Sequence, residues 1–158
     1  MVRAFNIIGP GQAPNFALPT FAHQLAAIGL GQQEPVLTVG NLTARRDLVH
    51  IDDAVGAYEA ILNRGAPGDC YNLGSGMAYS IQEVLDRLIA ISGLGPEVRE
   101  DPSKVRPIDL PLLQADNTRL CQLGWQQQRD LDQALQDLWN ATRSQVEGKA
   151  DAGGVPST

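Results

Sequence analysis

Short apolar runs alternate with helical stretches along this 158-residue chain, and this alternation constrains the fold more than any other feature. The clearest run, 2–8, leads into Gly9-Pro10-Gly11, as a buried strand leads into a tight turn. Further strands are predicted at 36–39, 48–51 and 70–73. Because helices separate these strands, the sequence predicts an α/β fold with parallel strands.

Amphipathic spacing and capping signals predict the first two helices. Apolar residues recur at helical intervals over 16–28, before a pair of glycines. Asp52 or Asp53 is expected to cap a second helix, which runs through Leu62.

The second half of the chain is predicted to be mainly helical. Ser80 and Glu83 have the spacing of a capping box, and an apolar helical face follows them. Two more helices are predicted over 116–123 and 131–143. Residues 144–158 offer little to bury, so we expect a disordered tail there.

Composition and charge exclude several kinds of partner. The net charge is −6, so a nucleic-acid partner is not expected, since phosphate backbones require a basic face. No apolar window approaches the length of a membrane span. Cys70 and Cys121 are too few and too far apart for a disulfide framework, so we expect reduced thiols and a cytoplasmic location. His23 and His50 have no partners at metal-ligand spacing, so no metal site is predicted.

Two arginines close to carboxylates are candidate ligand-binding residues. Arg46 precedes Asp47, and Arg106 stands three residues before Asp109. The planar guanidinium of arginine suits bidentate contact with phosphate oxygens, and a nearby aspartate can accept from a sugar hydroxyl. From these residues alone, a surface arginine beside a helix-capping aspartate is the more common explanation.

Several motifs in a consistent order resemble the extended short-chain dehydrogenases that act on nucleotide sugars. The resemblance covers residues 2–143, and within the family the loop 40–47 is similar to the GDP-mannose branch. The reductases of that branch match better than its dehydratases, which are the alternative. The matching motifs are Gly9-Pro10-Gly11-Gln12, Asn15-Phe16-Ala17-Leu18-Pro19, Arg46-Asp47-Leu48-Val49-His50-Ile51-Asp52-Asp53, Tyr71-Asn72-Leu73-Gly74-Ser75-Gly76, Arg106-Pro107-Ile108-Asp109 and Leu123-Gly124-Trp125.

The resemblance implies that the ligand is a GDP-sugar and assigns residues to its phosphates and ribose. Arg46 and Arg106 would bind the diphosphate, and the Asn6 side-chain amide would donate to a phosphate oxygen. Asp109 would accept a hydrogen bond from a ribose hydroxyl.

The same resemblance assigns residues to the rest of the nucleotide and to the cofactor. Asn15 and Leu18 would lie along the nucleotide, and Leu37 and Val39 would flank the base. Phe5 would approach the nicotinamide of NAD(P) from the end of its strand, although packing in the core explains it equally well.

The family's catalytic residues do not occur in this sequence. The family uses Tyr-x-x-x-Lys, in which the lysine lowers the pKa of the tyrosine, but no tyrosine here has a lysine four residues later. The turn Gly74-Ser75-Gly76 lacks the third glycine of a dinucleotide-binding turn. We therefore expect no bound NAD(P), no catalytic residue and no activity in the isolated chain.

These observations predict the C-terminal, substrate-binding half of such an enzyme. Residues 1–143 are expected to form an incomplete parallel sheet with a small mixed α/β lobe. A binding module that has lost catalysis is the alternative function. Strands 2–8 and 71–73 should expose unpaired edges, which favours a homo-oligomer or a domain-swapped dimer.

Overall fold

Strands and helices alternate in the structure, a computed structural model that describes residues 1–104 and 109–152. The strands are β1 (Val2–Ala4), β2 (Asn6–Ile8), β3 (Val36–Val39), β4 (Arg45–His50), β5 (Tyr71–Leu73), β6 (Ala78–Ser80), β7 (Glu97–Glu100) and β8 (Leu112–Leu113). The helices are α1 (Ala17–Gly29), α2 (Ile51–Arg64), α3 (Ile81–Ser92), α4 (Thr118–Gln122) and α5 (Leu131–Ala152).

Most of the strand pairing is parallel, which confirms the predicted fold class. The run predicted as one strand changes partner at Phe5, so that β1 pairs with β5 and β2 pairs with β4. Strand β3 pairs with β7 in parallel. Strand β4 also pairs with β6 antiparallel and with β8 in parallel. The chain therefore combines short parallel ladders with a small mixed region.

Strands β2 and β4 separate two hydrophobic cores. Ile8 and Leu48 belong to the first core, with α1, α3 and α5, whereas Ile7 and Val49 pack into the second, against α2 and α4. Successive residues of a strand point to opposite faces, so two short strands can serve both cores.

The start of α2 differs from the prediction. His50 Nδ1 accepts the backbone amide of Asp52 at 3.1 Å and so caps the helix. Asp53 instead accepts from the backbone amides of Gln128 and Arg129, at 2.9 and 3.0 Å. The prediction that an aspartate caps α2 is wrong. The imidazole of His50 already accepts the free amide at the start of the helix, and Asp53 binds the segment before α5 instead.

The capping box of α3 is confirmed. Ser80 Oγ accepts from the Glu83 backbone amide at 3.1 Å, and Glu83 Oε2 accepts from the Ser80 backbone amide at 2.7 Å. The Ser80 backbone amide and the Ser80 hydroxyl both donate to the Glu83 carboxylate, which favours its ionised form and holds the pKa of Glu83 below its usual value.

Helix α5 is longer than predicted. It continues to Ala152, whereas the sequence predicted an end at Arg143 and a disordered tail over 144–158. Val146 packs against the first core, and Arg143 donates to Glu147 one turn later at 2.7 Å. These contacts continue the helix beyond the predicted end, and residues 153–158 lie outside the described part of the chain.

Candidate functional site

A cavity of about 590 Å³ opens between the end of β2, the start of α1, the end of β3 and the start of β4. Seven of the nine residues predicted to contact ligand line it. These are Phe5, Asn6, Asn15, Leu18, Val39, Arg46 and Asp109. Leu37 lies outside the lining, and Arg106 lies outside the described residues.

Arg46 is held in place at the cavity wall. Its Nη1 donates to the backbone oxygens of Arg45 and Leu110, at 2.8 and 2.7 Å, and its Nη2 is paired with the Asp109 carboxylate. The Arg46 side chain is only 13% exposed. Its guanidinium is therefore fixed before any ligand arrives, which lowers the entropy cost of binding an anion.

Asp109 is positioned from its other side by the loop after β3. Asn41 Nδ2 donates to Asp109 Oδ2 at 3.2 Å, while Asn41 Oδ1 accepts from the amide and hydroxyl of Thr43 at 2.9 and 2.8 Å. A carboxylate has further lone pairs, so Asp109 can accept another hydrogen bond while it holds Arg46.

Arg45 has a different environment from its neighbour. Its Nη2 donates to the Ala78 backbone oxygen at 2.7 Å, and its Nη1 lies 3.8 Å from Glu83 Oε2. The side chain is half exposed and does not line the cavity. Strand β4 alternates its side chains, so only one of two adjacent arginines faces the site.

Asn6 and Asn15 lie at the cavity, but they differ in their hydrogen bonds. Asn6 Nδ2 donates to the Asp47 backbone oxygen at 3.0 Å, which ties β2 to β4. Asn15 is exposed and precedes the N-cap residue Phe16, and α1 has no side-chain cap. Contact between Asn6 and a phosphate stays a prediction, because the structure shows this amide in a protein contact.

Strand β3 borders the cavity through one of its two predicted residues. Leu37 and Val39 are both fully buried in the first core, and only Val39 reaches the lining. Thr38, between them, also lines the cavity, and its amide and carbonyl are bound by the Gln24 side chain at 2.9 and 3.1 Å. The structure therefore does not bring Leu37 to the site.

Sequence analysis missed Gln12 as a candidate site residue. Gln12 Nε2 donates to the Ile7 backbone oxygen at 2.8 Å, while its Oε1 is buried without a hydrogen-bond partner among the described residues. A buried acceptor without a donor is costly, and a ligand hydroxyl or amide in the cavity would satisfy it. Its position after the turn 9–11 was the available signal.

Lys104 is a second residue that the sequence analysis missed. It lines the cavity, with Nζ 3.3 Å from the Thr38 backbone oxygen, and makes no ion pair in the described part of the chain. Nearby, hydrogen bonds from the Ser103 hydroxyl and amide lower the pKa of Asp101, with a smaller contribution from Lys104. Because Arg46 is already paired with Asp109, Lys104 adds to the cavity a positive charge that no ion pair in the described part of the chain holds.

The turn after β5 cannot serve as a phosphate-binding loop. The backbone amides of Ser75 and Gly76 donate to the Asp47 carboxylate at 2.7 and 2.9 Å, as does the Ser75 hydroxyl at 2.7 Å. Asp47 is completely buried and also accepts from the Ala115 amide at 3.0 Å. A protein carboxylate thus occupies the donors that a phosphate would need at this turn.

Two further properties concern metals and membranes. Among residues 1–104 and 109–152, no group of three or more metal-ligating side chains comes together. In the same part of the chain, no helix has both the length and the apolar character needed to cross a bilayer.

The family model for GDP-mannose 4,6 dehydratase matches residues 1–138. GDP-6-deoxy-D-mannose reductase of Pseudomonas aeruginosa is 31% identical over 147 residues, which are 92% of this chain and 48% of the relative. UDP-glucose 4-epimerase of Bacillus subtilis is 30% identical over 169 residues, which are 96% of this chain and 49% of the relative. The chain thus spans about half the length of the curated relatives it matches.

Solved structures agree with these sequence matches. The structure of RMD from Pseudomonas aeruginosa complexed with NADPH superposes with a TM-score of 0.85 and 30% identity. That match covers 91% of this chain and 48% of the solved one. The match over most of the chain and the shared fold lead to one conclusion: the chain belongs to the GDP-mannose 4,6-dehydratase family of extended short-chain dehydrogenases.

Proposed function

We propose that this chain is the nucleotide-sugar-binding portion of an NAD(P)-dependent oxidoreductase whose ligand is a GDP-linked deoxyhexose. The observation that supports the proposal is the cavity wall, which is lined by a fixed guanidinium, its partner carboxylate and a lysine without an ion pair among the described residues. Arg46 and Lys104 would bind the diphosphate, and Asp109 would accept from the ribose. We include Arg106 in the diphosphate site on sequence grounds alone.

The proposed reaction of the complete enzyme is reduction of GDP-4-keto-6-deoxy-D-mannose, in which NAD(P)H supplies the hydride. Two observations support this choice. The chain is similar to the Pseudomonas aeruginosa reductase, and its loop 40–47 resembles the GDP-mannose branch of the family. This chain's own residues would bind and orient the GDP-sugar, and Phe5, at the strand end, would face the cofactor ring. Leu18 would pack against the nucleotide at the start of α1.

A second candidate is GDP-mannose 4,6-dehydratase, which the matching family model favours by its name. A binding module without catalysis is a third, and the absence of Tyr-x-x-x-Lys from the sequence fits it and the binding portion of an enzyme equally. All three share a GDP ligand, so GDP binding tests their common part. Comparing GDP-mannose with GDP-4-keto-6-deoxy-D-mannose as competitors would then separate the reductase from the dehydratase.

We also propose a cytoplasmic location, which the two free cysteines, Cys70 and Cys121, support.

We expect the purified chain to show no oxidoreductase activity. The reason is chemical: the sequence has no Tyr-x-x-x-Lys for proton transfer, and the backbone amides of Ser75 and Gly76 are bound to Asp47. The measurement is NADPH or NADH oxidation with GDP-4-keto-6-deoxy-D-mannose. Turnover above background in a homogeneous preparation would show that other residues perform the chemistry and would overturn the assignment as a binding portion.

A further inference from the structure

Phe16 is a large apolar residue that the fold leaves in contact with water. It is 60% exposed, whereas Phe21 in α1 is 4% exposed and belongs to the first core. Single exposed apolar residues are common on protein surfaces, so exposure alone means little. Of the large apolar side chains that are exposed in the described part of the chain, however, only Phe16 lines the cavity. Its aromatic ring is therefore accessible to a ligand.

Phe16 also occupies a position that favours a polar residue. It is the N-cap of α1, with an extended backbone at φ −118° and ψ 159°. Serine, threonine, aspartate and asparagine are preferred there, because their side chains accept the free amides of the first turn and a phenyl ring cannot. Helix α1 accordingly has no side-chain cap. Neither burial nor capping accounts for a phenylalanine here, and such local conflicts are typical of functional positions.

The start of α1 lies at the end of β3. The Gln24 side chain in α1 binds both the amide and the carbonyl of Thr38 in β3, at 2.9 and 3.1 Å, and residues 30–35 connect the two elements. Consecutive elements that pack side by side across a short connection run in opposite directions. Residues before Gln24 therefore approach the strand end after Thr38. This places Phe16 and Val39, which both line the cavity, at the same end of it.

The proposed ribose acceptor belongs to the same end of the cavity. Asp109 accepts from Asn41 Nδ2 at 3.2 Å, and Asn41 lies in the loop directly after β3. Asp109 is also paired with Arg46. A GDP-sugar with its diphosphate at Arg46 and its ribose at Asp109 would therefore extend its base toward the end of β3 and the start of α1.

We propose that Phe16 stacks on the guanine ring of the GDP-sugar and is a specificity-determining residue for the base. This inference rests on the proposed function, because it takes the cavity as the nucleotide site. Within a GDP-sugar only guanine presents a flat aromatic face, and stacking between a base and an aromatic side chain is favourable without hydrogen bonds to the base edge. A purine offers a larger face than a pyrimidine, so Phe16 favours GDP over UDP.

The test compares GDP and UDP binding by the wild type and three variants in isothermal titration calorimetry. Phe16→Ser should weaken GDP binding by about tenfold, the effect of losing one stacked base, and should weaken UDP binding less. Phe16→Trp keeps an aromatic face and should bind GDP about as tightly as the wild type. Tyr58→Ser is the matched control, because Tyr58 is an aromatic residue 43% exposed in α2 and outside the cavity lining. Its loss should leave GDP affinity unchanged.

Two further measurements separate stacking from a structural role. At saturating GDP, the ring current of Phe16 should move the guanine H8 resonance upfield in the wild type, and this shift should be absent in Phe16→Ser. Because serine can cap α1, Phe16→Ser should also keep or raise the urea midpoint of the chain.

Three results would overturn this inference. They are a Phe16→Ser variant that binds GDP like Tyr58→Ser, equal losses of GDP and UDP affinity in Phe16→Ser, and a lower urea midpoint for Phe16→Ser, which would make Phe16 a packing residue. If the wild type binds no GDP, the proposed function fails and this inference fails with it. If the wild type and Phe16→Ser bind GDP equally, this inference alone fails.

Discussion

Arg46→Ala is expected to reduce GDP affinity by about ten- to hundredfold, the effect of losing a charge-assisted hydrogen bond to phosphate. The guanidinium lines the cavity and is fixed by Leu110 and Asp109, so the variant also leaves the Asp109 carboxylate without its counter-charge. Arg46→Lys keeps the charge but loses the planar donor pair, so its GDP affinity should lie between those of the wild type and Arg46→Ala. Isothermal titration calorimetry with GDP measures all three proteins.

Arg45→Ala is the matched control for this series. Arg45 is adjacent in sequence and carries the same charge, but it binds the Ala78 oxygen outside the cavity. Its removal should change GDP affinity little, beyond the weak effect of one exposed charge. If Arg45→Ala weakened binding and Arg46→Ala did not, the assignment of the cavity as the diphosphate site would be wrong.

Asp47→Ala is expected to lower the free energy of unfolding by about 2–4 kcal/mol, because the backbone amides of Ser75, Gly76 and Ala115 lose their acceptor. Asp47→Asn should also destabilise, since the carboxamide has one acceptor oxygen where both carboxylate oxygens accept. Urea denaturation followed by tryptophan fluorescence measures the change.

The fluorescence probes and a control are present in the chain. Trp125 and Trp139 are buried in different cores, so coincident transitions would show that the whole chain unfolds together. Asp116 accepts from Thr118 in an exposed turn, and Asp116→Ala should shift the urea midpoint little. Equal midpoints for Asp47→Ala and wild type would contradict the role given to the buried carboxylate.

Local signals predicted those parts of the fold that depend on neighbours in sequence. The capping box of Ser80 and Glu83 needs only residues three apart, and the structure confirms it. The antiparallel strand β6 and the two-residue strand β8 were not predicted, because these segments become strands by pairing with β4, which is distant in sequence. Likewise the buried position of Asp53 depends on amides more than seventy residues later.

The candidate site divides in the same way. Motif order identified Arg46 and Asp109, but only the fold shows that they pair with each other, with Asn41 as a third member. Leu37 could not be separated from Val39 by pattern, since both are buried strand residues. Gln12 lies in the motif 9–12 but was assigned no ligand contact there, and Lys104 lies in no motif. The candidate role of each follows from the fold, which leaves a buried oxygen of Gln12 without a partner and brings Lys104 to the cavity.

GDP binding at the cavity is tested most directly by an NMR titration of the isotope-labelled wild-type chain with GDP at up to millimolar concentration. We expect saturable shift changes that cluster at the cavity, in residues such as Asn15, Leu18, Arg46 and Asp109. No shift change, or changes confined to the small surface cleft formed by Arg3 and Arg119, would contradict it.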